Sequence, residues 1–372
     1  MPQSLYRIYI NNKPASREQL DQVEEITVEQ AVDMAWEARL QVPICTDANG
    51  KWVGAETSFL VSFTRLRIEI KVGDAAFVPL IDGPIVSSES QMSSEPGQSV
   101  LSVMVQDDSV YLHRQDKINP YENKLDHEIA AELFRSIEQV TEQDIETTSP
   151  PSDGLPPFVM QRGTQMDLLR RLAQRQGMHA YVLPGAEPGQ SIGAFKKFPT
   201  RSDGLPPLIL LGPERNVATF TVTNDAQSPA AFEAYTLNIT DKVVTKATSK
   251  FRDLELLGEA AGFDKEADTA RRLLPFCGKE VVEANQAVAA AMEKAAFSFA
   301  ASGSVVGDCY TGVLAPYCVV TVKGVNERLS GDYVIKQVTH TLTRSHYAQA
   351  FSLLRNARST GGGLENLAGT IF

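Results

Sequence analysis

The stretch Gly324-Val-Asn-Glu-Arg-Leu-Ser-Gly-Asp-Tyr-Val-Ile-Lys-Gln-Val-Thr-His340, followed by Tyr347-Ala-Gln-Ala-Phe-Ser-Leu-Leu-Arg-Asn356, decides the fold. Gly324 and Ser330-Gly331 punctuate it as turns, and the runs between are rich in β-branched and aromatic residues. The spacing predicts long strands over 333–343 and 347–354, with a shorter one over 318–323. The C-terminal part of the chain is therefore β.

The same pattern recurs upstream. From Arg65 to Val72, Leu66, Ile68, Ile70 and Val72 alternate with Arg65, Arg67, Glu69 and Lys71, which predicts a strand with one wet face. Short apolar runs at 77–81, 85–87, 100–105 and 110–113 are separated by turn residues, the spacing of a small antiparallel barrel or sandwich.

Four helices are predicted. Thr27-Val-Glu-Gln30 has capping-box spacing, and Val28, Ala31, Val32, Ala35 and Trp36 follow at helical intervals, which places a helix over 27–41. A second, capped by Asp126 with Ile129, Ala130, Leu133, Phe134 and Ile137 on one face, spans 126–138. The third is marked at both ends, by Thr164-Gln-Met-Asp167 and by Gly177, and covers 164–176. Helical periodicity returns over 265–300. A strand over 180–183 ends at Pro184-Gly185, so a small α/β segment lies between two β regions.

The chain of 372 residues carries 35 basic and 46 acidic side chains, a formal charge of −11. The charge is uneven: residues 1–150 hold 12 basic and 25 acidic groups, and the remainder 23 and 21. An acidic N-terminal part repels phosphate backbones, so nucleic-acid binding through a basic face is not expected. Lys323, Arg328, Lys336, Arg344, Arg355 and Arg358, against Glu327 and Asp332, make either solvated strand faces or a patch for an acidic protein. The start MPQSLYRIYINNK has no signal-like apolar core, and no stretch approaches the roughly 20 apolar residues of a bilayer span, so no stable membrane insertion is expected. Cys45, Cys277, Cys309 and Cys318 lack paired spacing and are expected to be free thiols.

Chemistry is sparse. Phosphate-loop, dinucleotide, zinc-protease and hydrolase-elbow motifs are missing from the sequence. His340 and His346 could meet Cys309 or Cys318 at a metal, but nothing in their spacing demands it. Asp107-Asp108 reads as a strand-ending turn before it reads as an acid and base pair. Asp47-Ala-Asn49-Gly50 begins like a calcium loop but meets Ser58 where a bidentate carboxylate is needed. Asn238-Ile-Thr240 is a glycosylation tripeptide with no secretory route behind it. No catalytic, cofactor-binding or metal residue is assigned. Ser-Asp-Gly-Leu-Pro-Pro occurs at 152–157 and again at 202–207, either as reused turn chemistry or as a repeat.

The 324–356 stretch resembles the C-terminal signature of the phage late control protein D family, the baseplate hub proteins of contractile tails and contractile injection systems. Gly324, Leu329, Ser330, Gly331, Tyr333, His340, Phe351 and Arg355 match that pattern. Residues 161–181 resemble the family's helix-then-strand element, and 121–133 its tyrosine-then-helix link.

The resemblance implies a mainly β fold with α/β, in which two related tube-type β-barrel domains are joined by a small α/β domain. Laid on this chain, that gives an N-terminal helix and first barrel at 1–117, the linking domain at 118–215, a second barrel with a helical insertion at 216–358, and a flexible tail at 359–372. It implies a noncatalytic homotrimeric hub without cofactors, adapting a hexameric inner tail tube protein to a trimeric spike protein beside other baseplate proteins. Such a chain is cytoplasmic during assembly and later part of a tail or injection particle. The alternative from another class is a tail-associated cell-wall hydrolase or carbohydrate-binding module, which would need clustered carboxylates or aromatics in a groove.

Overall fold

The computed structural model describes residues 4–359 except 48, 54–59, 96, 150–156, 203, 238–241, 264–265, 276–280 and 308. Strand β1 (Ser4–Ile10) and helix α1 (Arg17–Gln22) precede β2 (Glu25–Ala31), β3 (Glu37–Pro43), β4 (Arg65–Val72), β5 (Val78–Gln91) and β6 (Val100–Gln106). An α/β unit follows: α2 (Asp126–Arg135), β7 (Val140–Ile145), α3 (Gln165–Gln176), β8 (His179–Pro184) and β9 (Ser191–Lys196). The C-terminal region holds β10 (Val217–Asn224), β11 (Ala230–Leu237), β12 (Val244–Thr248), β13 (Ala270–Leu273), α4 (Val281–Ala295), β14 (Phe299–Val305), β15 (Val319–Lys323), β16 (Gly331–Thr343) and β17 (Tyr347–Arg355).

A 13-stranded sheet runs through both β regions: eleven strands follow the order β10-β14-β17-β16-β2-β3-β6-β5-β4-β1 and the short strand Lys13–Pro14, while β15 branches off β16 and pairs with the two-residue strand Leu208–Ile209. The two halves of the chain meet at β16 and β2, which pair antiparallel with His340 opposite Val28. Strand β5 turns a corner: its residues 78–84 pair with β4 and its residues 85–91 with β6. Gly83 sits at that corner, where an added Cβ would lie 1.9 Å from the Gln106 carbonyl oxygen. Among the described residues the ladder is an open path with no closing pair in either half, so the expected barrels stand as two stretches of one sheet.

Apolar faces account for the packing. Val28, Leu40, Ile68 and Val103 share one buried cluster, and Val320, Tyr333, Val338, Phe351 and Leu353 another. In the α/β unit, Ile129, Leu133 and Phe134 of α2 meet Leu168, Leu169 and Leu172 of α3 over Phe195. Each fully buried Leu or Phe contributes about 1.5–3 kcal/mol. Helix α3 has the expected ends: Thr164 accepts from the Asp167 N–H, and Gly177 closes it at φ 65°. Helix α4 covers the β12-β11-β13 sheet through Ala284 and Val288.

Several expectations are corrected. Residues 27–41 are not a helix but the β2–β3 hairpin. Ile26, Val28 and Gln30, then Ala38, Leu40 and Val42, are buried at period two, and Asp33 turns the chain at φ 61°. The capping box that does form is Ser16 with Gln19, on α1. Residues 77–81 and 85–87 belong to one strand, and 110–113 lie in a 3-10 turn, Asp108–His113. The helix expected over 265–300 is confined to Val281–Ala295, because 270–273 pair in parallel with β11 instead.

The supposed wet face of β4 is dry: Arg67 and Glu69 are each only 2% exposed. The first copy of the repeated hexapeptide up to residue 156, the tripeptide at 238–240, Cys277 and nearly all of the expected tail lie outside the described residues.

Candidate assembly interface

Eight strands of the sheet, β10-β14-β17-β16-β2-β3-β6-β5, share one accessible face. Its side chains line up in rows across the strands. One row runs Thr219, Ser304, Ala350, Thr339, Glu29, Glu37, Gln106. Another runs Ala348, Thr341, Thr27, Arg39, Met104, Ser87. The C-terminal four strands present hydroxyls, alanines and Gln337, and a shallow depression of about 380 Å³ among Thr219, Ser302, Ser304, Gln337 and Thr339 is lined by no charged side chain. The N-terminal four strands add Glu25, Glu29, Glu37 and Glu89, with Arg39 among them. The face therefore offers neither a bulky apolar patch nor a basic one.

The 324–356 signature explains itself in the geometry. Tyr333 donates its hydroxyl to the Leu329 carbonyl at 2.7 Å, and Arg355 donates to the Ser330 carbonyl at 2.8 Å. The Arg355 guanidinium fills the space beside Gly331, whose φ is 132° and whose added Cβ would stand 2.4 Å from Arg355 Nη2. Gly324, at φ 74°, lies against the backbone of Leu211. Phe351 is core. Tyr333, Arg355 and the two glycines thus fasten the turn between β15 and β16.

A buried ionic cluster fastens the α/β unit to the first β region. Arg67 bonds Glu69 at 2.6 Å, Asp82 at 3.2 Å and the carbonyl of Gly185 at 2.8 Å, with further bonds to the carbonyls of Ala186 and Glu187. Arg65 grips both oxygens of Asp108 at 2.7 Å, and Ser191 donates to Asp108 at 2.6 Å. Burial works against the Arg65 charge, but the Asp108 hydrogen bonds and the nearby acids outweigh it and hold its pKa above the ordinary value. The turn between β8 and β9 is what covers β4.

The candidates weighed in the sequence have structural places. Asp107 accepts from the N–H groups of Trp36 (2.6 Å) and Ser109 (2.8 Å), so it caps the 3-10 turn, while Asp108 is the partner of Arg65. The two do not form an acid and base pair. Burial pushes the Asp107 carboxyl up to about 6. Asp47 closes an Asx turn onto Asn49 and Lys51.

His340 is fully buried and bonded to Tyr347 and Gln30, away from any cysteine contact in that network. Among the described residues, no three His, Cys, Asp or Glu side chains converge to hold a metal. Cys45, Cys309 and Cys318 are thiols outside any disulfide. The basic residues of the C-terminal region do not act as one patch: Arg355 is buried, and Arg344 donates to the Asp21 carbonyl. No helix among the described residues is long and apolar enough to cross a membrane.

No family model matches the chain, and no curated protein matches it. Solved structures do. The prophage MuSo2 43 kDa tail protein of Shewanella oneidensis superposes with a TM-score of 0.65 at 13% identity, over 94% of this chain and 97% of that one. A tail protein of Neisseria meningitidis gives 0.62 at 12% identity, over 95% and 96%. The E. coli c3393 protein, a type VI secretion component with structural similarity to bacteriophage T4 tail proteins, gives 0.56 at 12% identity, over 95% and 77%. The chain has the fold of phage tail and type VI secretion proteins, as the resemblance in its sequence led one to expect.

Proposed function

We propose, from the fold shared with phage tail and type VI secretion proteins, that this chain is a noncatalytic baseplate hub of a contractile tail or injection apparatus. Three copies form a ring that adapts a hexameric inner tube to a trimeric spike. The observation that carries the reading is the eight-strand face, built from four strands of each half of the chain and joined at β16 and β2. Two similar contributions per copy turn threefold symmetry into an approximate sixfold one, which a hexameric tube can match.

The units are residues 1–117, 118–215 and 216–358, with a tail from 359. The two β units make the ring, and the α/β unit, locked on by Arg67, braces it from outside. The hydroxyl and acidic face lines the passage, where it neither adheres to a protein cargo nor attracts a polyanion. Assembly, not bond making, is the activity: large subunit contacts and charge complementarity set register and closure.

Co-expression with the inner tube and spike proteins of the same apparatus tests the reading. The expected result is a co-purifying complex whose electron-microscopic averages place this chain between a sixfold and a threefold body. Recovery of the chain alone, with tube and spike joined without it, would overturn the proposal.

A further inference from the structure

Phe63 stands where its turn asks for glycine. Thr64 donates its N–H to the Val61 carbonyl at 3.0 Å, closing a turn whose third residue is Phe63 at φ 63°. That left-handed position suits glycine or asparagine and strains an aromatic residue. The Phe63 side chain is nevertheless 56% exposed, with Val61 exposed beside it and the Arg114 guanidinium 5.0 Å from the ring centre. A strained backbone that holds a side chain outward points to a contact outside the chain, and an aromatic backed by arginine has the composition of a binding hot spot.

The second half of the chain repeats this device and shows what covers it. Strands β2, β3, β4, β5 and β6 are retraced, in chain order and in pairing, by β10, β14, β15, β16 and β17. Phe63 lies two residues before β4, donates its N–H to the Ile85 carbonyl and is followed by Thr64, whose carbonyl accepts from Ile85. Tyr317 lies two residues before β15, also at φ 63°, donates to the Ile335 carbonyl and is followed by Cys318, whose carbonyl accepts from Ile335. Tyr317 is buried: its hydroxyl accepts from the N–H of Asp33, in the turn of the β2–β3 hairpin, and its ring stacks on Tyr181 at 3.5 Å. The hairpin of one half thus covers the aromatic of the other.

The hairpin of the second half is β10–β14, and its turn is expanded into the unit that carries β11, β12, β13 and α4. Asp225 donates its N–H to the Ser298 carbonyl at 2.9 Å and closes the stem of that unit. At the stem lies an open cleft of about 410 Å³, with Phe232, Ala291 and Ala295 as apolar lining and Asp225, Arg272 and Lys294 as charged groups. Asp225 complements Arg114, and the two cations complement Asp116, exposed two residues further on.

We propose that Phe63 of one copy inserts into this stem cleft of a second copy, with Arg114 meeting Asp225. The contact repeats between copies the cover that Asp33 gives Tyr317 within one, and it rests on the ring reading above. It makes the inserted unit the receptor that fixes a neighbour's orientation.

Sedimentation velocity on the fluorescently labelled full chain, from nanomolar to micromolar, tests this by comparing the native protein with Phe63→Gly, Phe63→Tyr and Ala291→Leu. Glycine keeps the left-handed turn, and leucine keeps helix α4 while filling the cleft. The expected result is a native trimer whose dissociation midpoint rises about tenfold or more in Phe63→Gly and in Ala291→Leu, while Phe63→Tyr assembles like the native protein and circular dichroism is unchanged in all.

A native trimer that tolerates either Phe63→Gly or Ala291→Leu without that rise would overturn the contact and leave the ring reading standing. So would loss of native circular dichroism in Phe63→Gly, which would make Phe63 a support of its own chain. A native monomer across the range would overturn both.

Discussion

His340 and Tyr347 lie on neighbouring strands with the imidazole Nδ1 2.8 Å from the phenol oxygen, and His340 is wholly buried. The Gln30 carbonyl oxygen faces Nε2 and can only accept, which puts the imidazole proton there and leaves Nδ1 to accept from the tyrosine hydroxyl. Nε2 then carries the proton and donates to Gln30 Oε1 at 3.2 Å, while the Gln30 amide donates to the Leu80 carbonyl at 2.7 Å. The chain of bonds crosses from β17 and β16 into β2 and β5, so one neutral histidine ties the two halves together at the sheet junction.

Replacing His340 with alanine strands the Tyr347 hydroxyl and the Gln30 carbonyl and leaves a cavity. The expected cost is about 3 kcal/mol in urea unfolding near neutral pH. The pH dependence has a definite sign. Burial holds the folded His340 pKa down at about 3, against an ordinary 6.5. The unfolded chain therefore takes up a proton that the folded chain refuses, and the contribution is complete above pH 6.5 and lost as pH falls towards 3. His340→Gln removes that slope; equal slopes in both proteins would show that the imidazole is not locked neutral.

Arg67 is expected to be the costliest charge to delete. With Glu69 and Asp82 left buried beside it, Arg67→Met should destabilise by about 3–5 kcal/mol. Hydrogen exchange supplies the specific readout: amides of 185–191 should lose protection in the variant, because the guanidinium holds three carbonyls of that turn. Unchanged protection there would mean that the turn is held by packing alone.

Asp107 gives the opposite pH sign. Its folded pKa is raised by burial to about 6 from 3.8, beside Asp108 and despite its hydrogen bonds. Its favourable linkage is present below about pH 3.8 and is lost as pH rises to about 6. Asp107→Asn lacks the linkage, so the stability gap between native and variant protein should narrow across that range and then level off. A gap that widens with pH would reject the assignment.

Arg355 should not be replaceable by lysine. Its fork reaches the Ser330 carbonyl while lying 5.2 Å from the Tyr333 ring centre, and an ammonium supplies one point charge in place of a planar donor set. Arg355→Lys is expected to cost about 2 kcal/mol, read as a lowered midpoint in thermal unfolding.

How much of this was legible depended on sequence distance. Strands β15 to β17 could be read directly, because their turns are marked by Gly324 and Ser330-Gly331, and α3 carries both of its caps. Residues 25–43 misled because Val28, Ala31, Val32, Ala35 and Trp36 satisfy a helical spacing, while the burial of Ile26, Gln30, Ala38, Leu40 and Val42 follows period two. That alternation was the available signal, and with it the glutamates of the accessible face would have been found.

The dryness of β4 could not be read locally, since the Gly185 carbonyl that meets Arg67 lies 118 residues away. The site itself is a face shared by eight strands from both halves, and no contiguous motif encodes such a surface.

Sedimentation equilibrium of the purified chain at micromolar concentration tests the central claim most directly. A ring-forming hub should sediment as a single species of three times 40.6 kDa. A stable species of 40.6 kDa across that range would contradict the account.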